Sequence, residues 1–482
     1  MGKFLTVLMG VSLLLSSNPV LADKAVAKAY RAADLTAFPW LTEAQYQKQK
    51  TVAVQRGSRG VASSSELSDD LLSPEFKAFR TKFFATQTAN QLHQLINESD
   101  ASFDAYPNDL KFFLSNLSVM KTYRGILFRA KPLVSPVPVV HSMILSWLRM
   151  LVTSTQVGLP TGQWKAGIAY ITEPPEEQVA YIKTEDDLAH FFSDELYPAM
   201  LKSATRLQGL NLDKPIIWDN QMLYGTASFQ DSLDRYFLID QAELNAALSM
   251  VHGNLNGIAA LSAYRISDSF KAMEKLGFLY GFDGFKFGVE GGPARDRVEV
   301  IKKLKNYLVL RDPAWMKLSF KHLQESTWRA GLVWQELKDK PRSNRMVFRN
   351  AVFSAWNREI DLNFGTMESL MKGKTVVRSA ITGETLTVDL QAFFDNPPQD
   401  LKALLPTAFE EGPKMIKKGS GAFKGEKYRN YFEGQATAWN VELYKKYFPD
   451  LKSSGDIPSA YRILTQAWGG GLPAGALGAA IF

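Results

Sequence analysis

LDRYFLIDQAELNAALSMVHGNLNGIAALSAYRI, residues 233–266, carries the clearest periodicity in the chain. Leu244, Leu248, Val251, Leu255, Ile258 and Leu261 recur in alternating steps of four and three, the spacing that lines one face of an α-helix. The stretch predicts a long helix with one buried seam. Gly253 and Gly257 lie close to that seam, where they either let a neighbouring helix approach or mark a kink.

Helical signals continue on both sides. Upstream, Ser73-Pro74-Glu75 has the N-cap and Pro-at-N1 form of a helix start, and the helix it opens is expected to reach about Glu98. A second helix is expected from about Pro107 to Arg129. VPVVHSMILSWLRMLVTST, residues 137–155, invites a membrane-spanning reading. Ser142, Ser146, Arg149 and Thr153 form a polar stripe along it, however, and an arginine at the bilayer centre costs about 2.5–3.5 kcal/mol. It reads instead as a central helix of a bundle. Thr184 caps a further helix with an acidic first turn. Downstream, helices are expected at about 294–310, 313–338, 343–371 and from Lys427 to Phe448.

β signals are few. GIAYIT (167–172) and QVAYIK (178–183), separated by EPPEE, read as two short strands, Ile216-Ile217-Trp218 as another, and TVVRSAITGETLTV (375–388) as a hairpin around a Thr-Gly turn. The expected fold is mainly α, a multi-helix assembly with one or two small β-hairpins.

The N-terminus has the layout of a secretory signal peptide. MGKFLTVLMGVSLLLSSNPVLA combines one lysine, an apolar run too short to span a bilayer and a small residue before a cut at Asp23. Residues 23–72 then read as a helical arm, detachable from the main core, and a Ser/Gly-rich linker. Residues 73–290 read as a helical domain with a short β element, and 291–482 as a basic, aromatic-rich helical domain. The boundary between the last two falls in the glycine-rich run GFDGFKFGVEGGPARD, 281–296.

Composition narrows the chemistry. The chain has no cysteine, which excludes thiolate metal sites, cysteine nucleophiles and a lipidated N-terminus, and which fits an exported bacterial protein, periplasmic or released. Its net charge of +7 is concentrated between Arg295 and Arg349, where 14 Lys/Arg face 6 Asp/Glu. Outside the cytoplasm such a field attracts anionic envelope polymers, lipid headgroups or a protein partner before it attracts nucleic acid. No mature transmembrane helix, cofactor or metal is expected. His93, His141, His190, His252 and His322 are too far apart for a local metal motif, although the fold is free to assemble distant ones. His141 and His252 read as hydrogen-bonded core residues.

Catalytic motifs are lacking. There is no serine-nucleophile elbow, and the glycine loop GVEGGPARDR lacks the Lys-Ser/Thr end of a P-loop. Carboxylates at Glu173, Glu176 and Glu177, and at Asp231, Asp234, Asp240 and Glu243, leave room for a glycan hydrolase only if two of them flank a cleft. The binding candidates are two basic segments. One is KDKPRSNRMVFR, 338–349, with Arg342 and Arg345. The other is KMIKKGSGAFKGEKYRNYF, 414–432, where Lys417, Lys418, Lys424 and Lys427 interleave with Phe423 and Tyr428. Cations beside aromatic rings suit sugar faces, anionic polymers and headgroups. The expected function is an exported, non-catalytic binding or scaffold protein for an anionic or glycan envelope component. The alternatives are an envelope-glycan hydrolase using a carboxylate pair and a carrier of an apolar ligand.

Overall fold

The computed structural model describes residues 38–57, 67–134, 161–177, 179–210, 212, 214–224, 235–268, 295–338, 357–379, 381–410, 414–418, 427–432 and 436–467. In chain order the helices begin with α1 (Glu43–Gly57), α2 (Pro74–Ala85), α3 (Ala89–Ala101), α4 (Asn108–Leu117), α5 (Ile126–Val134), α6 (Thr161–Thr172) and α7 (Glu185–His190). A π-helical turn, Phe191–Leu196, joins α7 to α8 (Tyr197–Gln208). Strand β1 (Ile216–Asp219), α9 (Gln221–Tyr224) and β2 (Tyr236–Ile239) follow, then α10 (Gln241–Ala263), α11 (Arg295–Lys302), α12 (Pro313–Leu337) and α13 (Asn357–Leu370). The hairpin β3 (Thr375–Arg378) and β4 (Thr385–Val388) leads into α14 (Leu390–Asp395). The last elements are β5 (Ala408–Phe409), β6 (Lys414–Lys418), β7 (Lys427–Phe432), β8 (Ala436–Ala438), α15 (Val441–Lys445) and α16 (Asp456–Ala467). The fold is mainly α. Among the described residues the strands form four two-stranded antiparallel sheets, pairing β1 with β2, β3 with β4, β5 with β8 and β6 with β7.

Two long helices organise the core. α10 starts at a capping box in which Asp240 accepts from Ala242 and Glu243 reaches back to the Asp240 amide. α12 starts at Asp312, which accepts from Ala314, with Pro313 in the first turn. They run antiparallel, as their pairings show: Asn245 meets Arg329, Ser249 meets Ser326, His252 meets His322 and Asn256 meets Ser319. The apolar seam of α10 is buried as expected, with Leu244, Leu248, Val251, Leu255 and Ile258 all inside. A polar stripe displaced by one residue from that seam faces α12. Its small side chains bring the backbones close: Ser249 and Ser326 each donate at 2.8 Å to the other's carbonyl, and Ser319 and Asn256 exchange bonds of 3.0 Å in the same way. A Cβ at Gly253 would stand 3.4 Å from Ser326 Oγ, whereas one at Gly257 would meet nothing. One buried cluster takes in side chains from Phe38 to Ala467, and α10 and α12 pack together from either side of the expected boundary near residue 290.

Several local expectations give way to tertiary context. Residues 167–172 are helical within α6, not a strand: Ala166 and Tyr170, four residues apart, are both fully buried on one helical face, which outweighs the β-branched content. The helix expected from residue 73 to 98 breaks at Thr86, and Thr88 opens α3 with its own capping box on Gln91. The helix expected to reach Arg129 is interrupted at Gly125, whose φ of +60° an L side chain rarely adopts. The long periodic stretch is helical only from Gln241, because Tyr236–Ile239 pairs with Ile216–Asp219. The helix expected at 294–310 stops at Lys302. Beyond it Leu308, with φ +60°, donates to Arg265, and Leu310 donates to Gln399. Residues 427–432 and 436–438 are strands where a helix was expected, since KYRNYF is aromatic-rich and finds a partner in Lys414–Lys418. Residues 38–57 do not stand apart as a detached arm: Phe38, Leu41, Tyr46 and Ala53 belong to the main buried cluster. Residues 1–22, expected to be a leader, residues 137–155 and the glycine-rich run 281–294 lie outside the described residues.

Candidate functional site

The segment from Phe38 through α1 is tied to the helical core at several points. The Leu41 amide donates to Glu325 Oε2 at 2.9 Å, and Gln208 Nε2 donates to the Pro39 carbonyl at 2.7 Å. Tyr46 stacks on Trp328 with ring centroids 5.3 Å apart and gives its hydroxyl to Glu368. Lys50 also bonds Glu368, at 2.9 Å, and Arg56 pairs with Glu336 at 3.1 Å. Gly331 makes this docking possible, because a Cβ there would fall 2.7 Å from the Tyr46 hydroxyl.

Between this segment, α8 and α10 lies a cleft of about 770 Å³. Three cations line it, Lys48, Arg56 and Arg329, together with four amides, Gln45, Gln49, Gln208 and Gln241. Trp40 with Leu41, Val52, Leu210, Leu244 and Leu248 supplies the apolar wall. Among the described residues no carboxylate lines the cleft. Glu325 and Glu336, which balance Arg329 and Arg56, sit behind it and are buried. Lys48 is exposed and forms no ion pair among the described residues. Arg329 is itself buried and held flat by Glu325 (Nε to Oε1, 3.0 Å) and Asn245 (Nη1 to Oδ1, 3.0 Å), so it enters the cleft pre-oriented.

Behind Trp40 runs a closed chain of polar rings. Tyr197 Oη lies 2.6 Å from His322 Nε2, and His322 Nδ1 lies 2.8 Å from His252 Nδ1. Trp40 packs edge-on against His322 at 4.8 Å, and Phe38 against His252 at 5.3 Å. His252 Nε2 is buried with no hydrogen-bond partner among the described residues. Burial, with the nearby Arg329 charge, pushes His252 down to about 3. Burial also holds His322 well below the usual histidine range. Both rings are therefore neutral near pH 7, one donating to the other. They do not line the cleft, and they act as structural supports for Trp40. Among the described residues no group of three or more His, Asp or Glu is placed to hold a metal ion.

A second, shallower cleft of about 570 Å³ lies between α13 and β3, where Asp361 is the one carboxylate among the described lining residues, beside Leu362 and Val376. Among the described residues neither cleft carries the facing pair of acids that glycoside hydrolysis requires. Four of the carboxylates singled out in the sequence are engaged elsewhere, among them Glu177, which lies 3.7 Å from His93 Nε2. Glu176 accepts from Asn90, while Asp240 and Glu243 cap α10. Asp231 and Asp234 lie outside the described residues.

Of the binding candidates in the basic segments, Arg342, Arg345, Phe423 and Lys424 lie outside the described residues. Lys417 and Lys418 fall on β6 and Lys427 and Tyr428 on β7, where the backbone register sets Lys417 opposite Tyr428 and Lys418 opposite Lys427. The residues of the 770 Å³ cleft escaped the sequence reading because they come from four separate stretches. The stripe Asn245, Ser249, His252 and Asn256, spaced four, three and four and one residue off the apolar seam, marks the face of α10 that meets α12, and Asn245 on it holds Arg329. No family model matches the chain, and neither the curated proteins nor the solved structures contain a match. Among the described residues no helix is long and apolar enough to cross a membrane.

Proposed function

We propose that this chain is an exported, non-catalytic binding protein that holds an acidic, sugar-like component of the cell envelope in the 770 Å³ cleft. The observation that carries this reading is the lining: cations and glutamine amides beside Trp40, with no carboxylate among the described residues. Ring faces of sugars pack on tryptophan, amides exchange hydrogen bonds with hydroxyls, and the cations complement carboxylate or sulfate groups. The volume lies within the usual range of small-molecule sites. The polar wall argues against a purely apolar ligand, and among the described residues the cleft offers no acid pair for hydrolysis. The basic strands carrying Lys417, Lys418 and Lys427 supply a second cationic element to the same reading.

Calorimetry with hexagalacturonate tests it. Binding is expected, and it should weaken steeply between low and high salt because the cleft field is screened within about 8 Å at physiological ionic strength. Lys48→Glu should weaken it about five-fold or more, equivalent to about 1 kcal/mol. A neutral hexasaccharide that binds equally well, with Lys48→Glu unchanged, overturns the reading.

A further inference from the structure

Asp100, the penultimate residue of α3, is the meeting point of three cations from two other elements. Lys121, in the 3-10 turn after α4, approaches Oδ2 at 2.7 Å. Lys202 of α8 approaches the same oxygen at 3.1 Å, and Arg206, one turn later, approaches Oδ1 at 2.5 Å. Burial disfavours the ionised carboxyl, but the hydrogen bonds from Lys121, Arg206 and Lys202 outweigh it and hold Asp100 well below the usual carboxylate range. One negative charge therefore faces three positive ones, a surplus of two. Arg206 is further pinned over the Phe103 ring at 3.9 Å, with Lys111 above the same ring at 5.9 Å. Asp104, one residue beyond Phe103, forms no ion pair with any of these cations.

We propose that this cluster is a binding site for a phosphate group, separate from the cleft. The two ammonium groups touch the same carboxylate oxygen, so one further anion can reach both, and each lysine keeps donors that Asp100 does not use. Lys202 is half exposed and Lys121 about one-third exposed, so the open side faces solvent. A phosphate monoester carries about −1.5 to −2 charges and three acceptor oxygens, which matches the surplus; a single carboxylate would leave half of it unbalanced. The site is distinct from the cleft because Lys202 and Arg206, four residues apart, share one face of α8, whereas Gln208, two residues further on, points to the other side. Its ligand is either a soluble phosphate or the phosphate of a lipid headgroup.

The test uses the full chain with two probes, calorimetric titration with inorganic phosphate and co-sedimentation with phosphatidylglycerol vesicles. Binding to at least one probe is expected, and the double variant Lys121→Gln/Lys202→Gln should lose about ten-fold or more of it. The same double variant should leave hexagalacturonate binding in the cleft unchanged, because neither lysine lines it, and this separates the two sites. Phosphate titration without vesicle retention assigns a soluble ligand, and retention without titration assigns a headgroup. If the double variant fails to fold, Lys202→Glu alone serves, since that side chain is half exposed. Binding of neither probe, or binding that survives both variants, overturns the proposal.

Discussion

Gly331 shows how much one missing side chain can decide. It lies in the interior of α12, where glycine disfavours helix by about 1 kcal/mol relative to alanine. The Tyr46 hydroxyl occupies the space its Cβ would fill, at 2.7 Å. Gly331→Ala therefore gains helix propensity and loses the fit of α1, and the second effect should win. A net destabilisation of about 1–3 kcal/mol is expected in a denaturant titration; a variant as stable as the parent would show that Tyr46 can move aside. Nothing local marks this residue, since its importance depends on a tyrosine 285 positions earlier in the chain. The burial of His252, in contrast, was legible from its place on an apolar helix. Its partner His322 was not, because helical spacing indicates which face a residue occupies and leaves open what that face meets.

At the scale of elements, the α10–α12 pair combines an apolar seam with a buried polar ladder. Apolar surfaces can slide along one another at little cost. Reciprocal bonds such as Ser249 with Ser326 and Asn256 with Ser319 exist only at one register, so the ladder opposes sliding. The same helix pair anchors the N-terminal segment through Glu325, which is 1 % exposed and serves both Arg329 and the Leu41 amide. Glu325→Gln keeps the shape and removes the charge, leaving the Arg329 guanidinium buried without its counter-ion. A loss of about 3–5 kcal/mol is expected, with faster proteolysis of residues 38–57 than of the rest; uniform proteolysis would show that Glu325 does not anchor that segment. The hairpin at 375–388 and the cap at Thr184 were readable because turn and cap chemistry is local. The strand at 427–432 was not readable, because Tyr428, Tyr431 and Phe432 fall at i, i+3 and i+4 as on a helix, and only the pairing with Lys414–Lys418 overrides that spacing.

For the whole molecule, the buried histidine pair imposes a pH dependence. In the unfolded chain histidines take up protons near pH 6.5. In the fold, burial holds His252 to about 3 and His322 well below its usual range, with Tyr197, Arg329 and each other as the facing groups. The unfolded state therefore binds more protons between these limits, so the stabilisation is complete above about pH 6.5 and declines as the pH falls towards 3. His190, raised by its bond to Asp194, works in the opposite sense: its contribution is present below its unfolded value and lost as the pH rises. It is more than half exposed, so its effect is small. Carboxylates held low, such as Asp69 and Asp194, add losses only below about pH 4. Melting temperature should thus fall from pH 6.5 to 4.5 before the carboxylates titrate, and His252→Gln should flatten that slope. An equal slope in the variant would show that the pair is not its source.

The sequence by itself determined the helical class, the caps at Ser73 and Thr184, the one strong hairpin and the absence of thiol chemistry, because each follows from residue type and short-range spacing. Only the tertiary structure decided which faces meet. Periodicity records that a surface is buried and is silent about its partner, so the antiparallel seam, the Tyr197–His322–His252 chain, the Asp100 cation cluster and the cleft beside Trp40 emerge only when distant segments pack together.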